Sequence, residues 1–287
     1  MAQIKEIKSR IKTVKNIGQI TKAMKMVATA RLKKAQERIL AARPYAFRMA
    51  DVAKNLASKM GEEAHPLLAN RLEGKTALIV ITADRGLCGS FNVNIIRQAQ
   101  GYLRENPDTV LLTIGKKGRD FFRRRNVPIQ KEWLGVFPNV SYETVLEIRD
   151  EIETLFIQEK YKNIAVLFTE FKSVIQQKVS LDTLLPIYIE KLPAEGKANV
   201  TGGDYEFEPD LDTILNSLLS QYLATQIHRM LLESFSSEMG AKRSAMESAS
   251  KNAGEMITRL TLEFNRARQA MITKELAEIV GGAAALE

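Results

Sequence analysis

The chain has 287 residues, 45% of them apolar and 26% charged, with a single cysteine and a net charge of +8. That size allows one large domain or two ordinary ones. No apolar run approaches the roughly 18 residues needed to cross a bilayer, and a lone cysteine excludes an internal disulfide and suits a reducing compartment.

Residues 1–60 read as nearly unbroken helix. They hold 15 Lys and Arg against Glu6, Glu37 and Asp51, whereas residues 61–208 hold 19 basic and 21 acidic side chains and residues 209–287 hold 8 and 10. The whole basic excess therefore sits on the first segment, which suits an acidic partner, an anionic lipid or a nucleic acid. The opening "MAQIKEIKSR" shows no apolar stretch of a secretory signal. From Ala28, small or apolar residues recur at Leu32, Ala35, Ile39, Ala42, Ala46, Met49, Ala53, Leu56 and Met60, alternating steps of four and three. That is a heptad seam. Ile4, Ile7, Ile11 and Val14 keep the rhythm, and Ile17, Ile20, Met24 and Val27 continue it with a slipped phase. The seam persists past Pro44, which predicts a kink rather than a stop.

Residues 61–208 differ in kind. "TALIVIT" (76–82), "TVLLTIG" (109–115) and "NIAVLF" (163–168) are short apolar runs of the sort that form parallel strands buried on both faces. Helical patterns lie between them, at Ile96, Ala99 and Leu103 and again at Val145, Ile148, Ile152 and Leu155. The alternation predicts a small doubly wound α/β domain. The stretch 196–210 reads as a polar linker.

Residues 209–287 form a second long helix. Pro209, Asp210 and Asp212 suit its start, and Met246, Ala249, Ala253, Met256, Leu260, Phe264, Ala267 and Met271 form a second seam. Gly281-Gly282 is the next break signal. Two Ala-rich seams at the chain's ends predict an antiparallel, left-handed coiled coil with the α/β domain (61–208) inserted between helices 1–60 and 209–287. Helices of about 85 and 110 Å would leave roughly the last 20 residues unpaired.

"ITADRGLCGSFN" (81–92) joins the first strand to a helix, where cofactor loops sit. Gly86 and Gly89 do not fit the spacing of a dinucleotide fingerprint, and neither this loop nor "GKKGRD" (115–120) is a P-loop. Cys88 has only His65 and His228 in the chain as candidate bases, one on each side of the domain. It reads as a buried thiol, and the glycines as backbone geometry. Asp84 and Arg85 read as an internal ion pair or a docking contact. The histidines lack metal-ligand spacing, and the basic helix carries no nucleic-acid signature. No cofactor is expected.

Three stretches together carry a resemblance: "IKSRIKTVKNIGQITKAMKMVATARLKKA", "ADRGLCGSFN" and "NRARQAMITKELAEIVGGAAAL". In that order, over the whole chain, they resemble the γ subunits of F-type ATP synthases, and "RPY" (43–45) matches as well. The resemblance implies a non-catalytic rotor. Its terminal helices stand inside a ring of three α and three β subunits, while its lower part binds the ε subunit and the membrane ring of c subunits. Proton flow turns that ring, and the asymmetric shaft drives the β sites in turn.

By the same resemblance, Arg268 and Gln269 are expected to touch a β-subunit loop. Met24 and Lys25 are expected to pass the lower rim of the bearing, and the basic first helix to face acidic loops. Asp84, Arg85, Gly86 and Gly89 are then scaffold or docking surface. With Cys88 alone in the α/β domain, the thiol switch of chloroplast members is not expected. A bacterial subunit, peripheral on the cytoplasmic face of the cell membrane, is. The alternative from another class is a small α/β enzyme or adaptor with a basic coiled-coil arm for an acidic partner.

Overall fold

A computed structural model describes residues 2–60, 65–71, 73–158, 161–188 and 211–284. The linker expected at 196–210, with Pro209 and Asp210, lies outside the described residues. The elements are α1 (Ala2–Met60), β1 (Thr76–Ile81), α2 (Phe91–Glu105), β2 (Val110–Ile114), α3 (Lys116–Arg123), β3 (Ile129–Trp133), α4 (Tyr142–Gln158), β4 (Asn163–Phe171), β5 (Gln177–Leu185) and α5 (Leu211–Ala284). α1 runs through Pro44, and α5 runs through Gly281-Gly282 rather than breaking there. Packing divides the chain into two compact units, Met1–Thr29 with Lys242–Glu287, and Ala30–Ala241.

The second unit is built on a five-stranded sheet of order β3-β2-β1-β4-β5. β1 pairs in parallel with both β2 and β4, β3 adds in parallel to β2, and β5 closes the other edge antiparallel. The three apolar runs are β1, β2 and β4, the inner strands. β3 and β5 escaped the sequence reading because edge strands are half wet. IQKEW and QKVSLDTLL alternate burial and carry charges instead of forming apolar runs.

Side chains of the inner strands point alternately to two covered faces. Leu78, Val80, Leu111, Ala165 and Leu167 pack with Ile95, Ile96 and Ala99 of α2 and Phe122 of α3. Ile79, Ile81, Ile114 and Val166 meet Ile148 and Ile152 of α4 and Ile227 and Met230 of α5. The sheet is doubly wound, but the chain's last helix supplies part of one layer. Within this unit α5 is buried almost all round, at Leu215, Leu219, Leu223, Leu231, Leu232 and Met239 among others.

α5 also completes the sheet's hydrogen bonding. β4 outruns β1, whose last partnered residue is Val80 opposite Leu167. Beyond that point the Thr169 amide donates to Ser234 Oγ (3.2 Å), and Ser237 Oγ donates to the Thr169 carbonyl (3.0 Å). Two buried serines thus satisfy backbone groups that would otherwise be orphaned. Gly240 passes close to this hairpin, since a Cβ there would lie 3.3 Å from the Phe171 ring.

In the first unit, α1 up to residue 29 and α5 from residue 242 pair antiparallel. A Cβ on Gly18 would lie 3.5 Å from the Ala253 Cβ, and Lys25 Nζ reaches Glu247 at 2.7 Å. The inward positions of α1 are Ile4, Ile7, Ile11, Val14, Gly18, Thr21, Lys25 and Ala28. These alternate three and four without interruption, so the expected phase slip is absent. Ile17, Ile20 and Val27, read as seam, are instead 47%, 58% and 52% exposed. The unbroken three-four alternation from Ile4 to Val14 carries on to Gly18, Thr21, Lys25 and Ala28, and at Gly18 the helices approach closely enough that a Cβ there would meet that of Ala253. On α5, Ile257 takes the inward place expected of Met256, which is 42% exposed. Met246, Ala253, Leu260, Phe264, Ala267 and Met271 face inward as expected.

This pairing sets two opposite expectations. Ala253→Leu should destabilise by about 1–3 kcal/mol through overpacking. Gly18→Ala should stabilise by about 0.5–1 kcal/mol, because an interior helical glycine is replaced and its new methyl meets only ordinary contact distance. Thermal melts of the two variants followed by circular dichroism check both signs. A stabilising Ala253→Leu would mean that the seam lies elsewhere.

Candidate functional sites

The loop after β1 is held by side chains folded back onto the main chain. Asp84 Oδ1 accepts from the amides of Lys116 (2.9 Å) and Gly135 (3.3 Å), and Oδ2 accepts from that of Phe137 (3.3 Å). One carboxylate therefore ties the ends of β1 and β2 to the loop after β3. The ion pair expected with Arg85 is not formed among the described residues, and Arg85 is exposed. On the other side, Asn92 Oδ1 accepts from the Ala83 amide (2.9 Å) while its Nδ2 donates to Cys88 Sγ (3.2 Å). Cys88 is buried against Ala83 and Phe91, as the reading of a structural thiol expected.

The start of α3 occupies the place where a parallel α/β fold offers amides to a phosphate. Here the chain takes them itself. The Lys116 amide goes to Asp84, that of Lys117 to the Ala83 carbonyl (3.1 Å), and that of Gly118 to Thr82 Oγ1 (2.8 Å). The crossing is tight enough that a Cβ on Gly115, at φ +95°, would lie 2.0 Å from the Thr82 carbonyl oxygen. The first three backbone amides of α3 are thus already taken by the chain itself. Among the described residues no group of three or more His, Cys, Asp or Glu could hold a metal ion. The loop that reads as an active-site mouth is a brace. Thr82 and Asn92, which do much of the bracing, carried no signal in a sequence reading centred on glycines.

Of the expected shaft residues, Lys25 is partly buried in the seam and paired with Glu247, whereas Met24 lies half-buried beside it. That hydrogen bond and the Lys25 charge hold the Glu247 carboxyl below its usual range. Arg268 and Gln269 are both exposed. Extending the antiparallel register places the start of α1 opposite about residue 269. Beyond it, residues 272–279 are exposed throughout, Leu276 and Ile279 included. The structure thus joins Met24 and Lys25 to the paired stretch and sets Arg268 and Gln269 at its end.

A second surface was legible only as a charge count. Arg31, Lys34 and Arg38 of α1 line a groove of about 300 Å³ with Pro138, Asn139 and Val140, over Leu232 and Phe235 of α5. Three cations and no acid line it. Phe235 stacks on Phe137 at 5.8 Å between ring centroids, which fixes the groove's floor. Burial, reinforced by Arg38, pushes the nearby His228 imidazole below its ordinary value.

Comparison with known proteins gives one family. Residues 3–286 match the family model described as ATP synthase. The chain is similar to the ATP synthase gamma chain of Desulfitobacterium hafniense, 46% identical over 288 residues and covering all of both chains. It is likewise similar to that of Heliobacterium modesticaldum, 45% identical over 289 residues with complete coverage of both. Among solved structures it resembles a chain in the central stalk and c-ring of the Tetrahymena thermophila mitochondrial ATP synthase. There the TM-score is 0.62 at 27% identity, covering 80% of this chain and 99% of that one. A chain of the Euglena gracilis mitochondrial enzyme shares the fold, with a TM-score of 0.70 at 18% identity, covering 99% and 95%.

Two measurements test these sites. Asp84→Ala removes three charge-assisted bonds, so it should destabilise by about 1–3 kcal/mol and speed alkylation of the otherwise slow Cys88. Unchanged melting and thiol reactivity would mean the brace lies elsewhere. For the Lys25–Glu247 pair, the lowered acid pKa stabilises above the ordinary carboxylate range and loses that effect as pH falls through the folded value. Glu247→Gln should therefore lower the melting temperature slightly at pH 7 and not at pH 3, at low salt. Equal effects at both pH values would show that the pair carries no charge coupling.

Proposed function

We infer the role of this chain from the family to which it belongs, the ATP synthase gamma chains. It is a non-catalytic subunit of the central stalk, and ATP chemistry belongs to the β subunits. Its partners are the α and β subunits, the ε subunit and the c-ring. As a rotor it passes the turning of the c-ring to the catalytic sites. No helix among the described residues is long and apolar enough to cross a membrane, so membrane association comes through the complex. We place it on the cytoplasmic side of a bacterial cell membrane.

The observation that carries the mechanical reading is the antiparallel pairing of α1 with α5, which ends near residue 269. Each ion driven across the membrane supplies about 2.3 kcal/mol per 100 mV, and pooling several per ATP stores energy on the order of 10 kcal/mol. A single helix, held by bonds worth about 1 kcal/mol net each, is a poor torsion element. We therefore assign torque to the paired stretch, which contains Met24 and Lys25, and centring to the exposed residues beyond it. Arg268 and Gln269, exposed where pairing ends, are assigned to contact with a β-subunit loop. The basic groove of Arg31, Lys34 and Arg38 is assigned to acidic loops of the surrounding ring. In this reading the helices within 1–60 and 209–287 form the shaft and 61–208 the docking body, with residues 211–241 of α5 shared between the two roles. Asp84, Gly86 and Gly89 are scaffold in this reading, and Arg85 is docking surface.

The test is ATP hydrolysis by the assembled complex. Truncation from Glu278 should leave most of the activity. A reducible bridge from the paired stretch to the ring should abolish it until reduced. Arg268→Ala or Gln269→Ala should weaken coupling of hydrolysis to ion pumping without changing the melt of the isolated chain. If the shaft bridge leaves hydrolysis untouched, the helices are a static arm and the rotor reading fails.

A further inference from the structure

The basic groove on α1 has more structure than a charged patch needs. All its residues belong to one compact unit, Ala30–Ala241. Arg31, Lys34 and Arg38 recur at helical spacing and share one face of α1, over a length of about 10 Å. Between them Ala35 is buried, and Leu232 and Phe235 of α5 close the floor. Asn139 stands on the opposite wall. The space of about 300 Å³ lies at the lower end of small-ligand sites, which run from about 300 to about 1,000 Å³.

The walls are ordered within the chain itself. Asp84 fastens the amides of Gly135 and Phe137, and the Phe137 ring stacks on Phe235 at 5.8 Å. The loop that carries Asn139 is therefore tied to the helix that makes the floor. A site with ordered walls loses less entropy on binding.

The groove does not neutralise its own cations. Among the described residues no acid lines it. Glu37, close by in sequence, lies beside Lys33 at 3.9 Å, and Glu233 of α5 pairs with Arg229 at 3.1 Å. His228 senses the remaining positive charge. Burial and Arg38 together hold its imidazole below the ordinary value, and Tyr142 packs edge-on against it at 6.1 Å. His228 precedes Leu232 by one helical turn, so the exposed Tyr142 ring marks the Arg38 end of the groove.

This donor set suits one chemistry. Two guanidiniums offer planar forks that match phosphate oxygens, and the lysine between them adds a point charge. Asn139 adds a neutral amide donor from the other wall. A single small anion meets one of these groups, whereas two linked phosphates span several.

We propose that the groove of Arg31, Lys34 and Arg38 binds a diphosphate group, carried either by free pyrophosphate or by a nucleotide. The inference goes beyond the central-stalk reading, because such binding is a property of the chain itself. It gives these cations a second occupant, which competes with any acidic segment docked on the same face.

The test is titration of the isolated full-length chain with pyrophosphate, with sulfate at matched ionic strength as the control. The chain has two histidines, so their ring protons are separable by NMR. A diphosphate beside Arg38 offsets its repulsion of the imidazolium, so the His228 pKa should rise on saturation. His65, which bonds Asn216 about three turns earlier on α5, should not shift. Arg31→Gln and Arg38→Gln should each weaken pyrophosphate binding about tenfold. Lys33→Gln, outside the groove, should weaken it by less than about twofold. All three side chains are exposed, so the melts should stay near that of the parent.

ADP separates the two carriers. Tighter binding than pyrophosphate, falling back to the pyrophosphate level in Tyr142→Ala, assigns the groove to a nucleotide. Binding no tighter than pyrophosphate assigns it to the free diphosphate. The proposal is overturned by no pyrophosphate binding, by sulfate binding equally well, or by a His228 pKa that does not move. Equal weakening by Lys33→Gln also overturns it, since attraction to the whole basic helix would then account for the binding. None of these results touches the central-stalk reading, which is tested on the assembled complex.

Discussion

Everything in the larger unit depends on burying one helical segment, residues 215–239 of α5, on nearly every side. It covers one sheet face through Ile227 and Met230 and caps the overrun of β4 through Ser234 and Ser237. It also meets α1, where Thr225 Oγ1 lies 3.8 Å from Met49 Sδ and Tyr45 bonds Gln221. An ordinary amphipathic helix cannot satisfy three neighbours, since its polar face needs water. The sequence answers with leucines, alanines and serines; Ser234 and Ser237 spend their hydroxyls on the Thr169 backbone, while that of Ser236 is buried without a partner among the described residues. Past residue 241 the same helix exposes most of its circumference again. Its burial changes character along its length because the number of its partners changes.

The braced loop shows how little separates a cofactor site from a scaffold. Strand, tight turn and helix start are arranged as in nucleotide-binding α/β folds. The difference lies in what caps α3. Here Thr82, Ala83 and Asp84 take its first amides in succession, so the positive end of the helix is neutralised by the chain.

How much of this was legible in sequence follows from physical scale. Inner strands were plain because burial on both faces demands continuous apolar runs. β3 and β5 were hidden because an edge is wet on one side, and α3 because eight residues give too short a period. The terminal helices were evident from their heptads, but their phase near Gly18 was misread. Ranking residues by hydrophobicity favoured Ile17 and Ile20, whereas close backbone approach rewards small size. Glycine is invisible to a search for apolar stripes. Among the site residues, Lys25 was expected at the rim of the bearing and Asp84 in a pair with Arg85 or in docking, whereas within the chain Lys25 meets Glu247 and Asp84 meets three amides, none of them foreseen. Those partners are far away in sequence and are brought near only by the fold.

The displaced stripe on α1 bears on how such a subunit is made. Ile17, Ile20, Met26 and Val27 stay outside because they fall off the seam's three-four alternation, and α5 adds exposed Leu262, Ile272 and Ile279. In the shaft reading an enclosing ring would give these side chains cover, which a copy produced in excess would lack. Unpaired copies would present sticky aliphatic surface to one another. A cell making this chain therefore has reason to match its synthesis to that of the ring subunits and to clear the surplus. The phase of one helix seam thus bears on subunit stoichiometry.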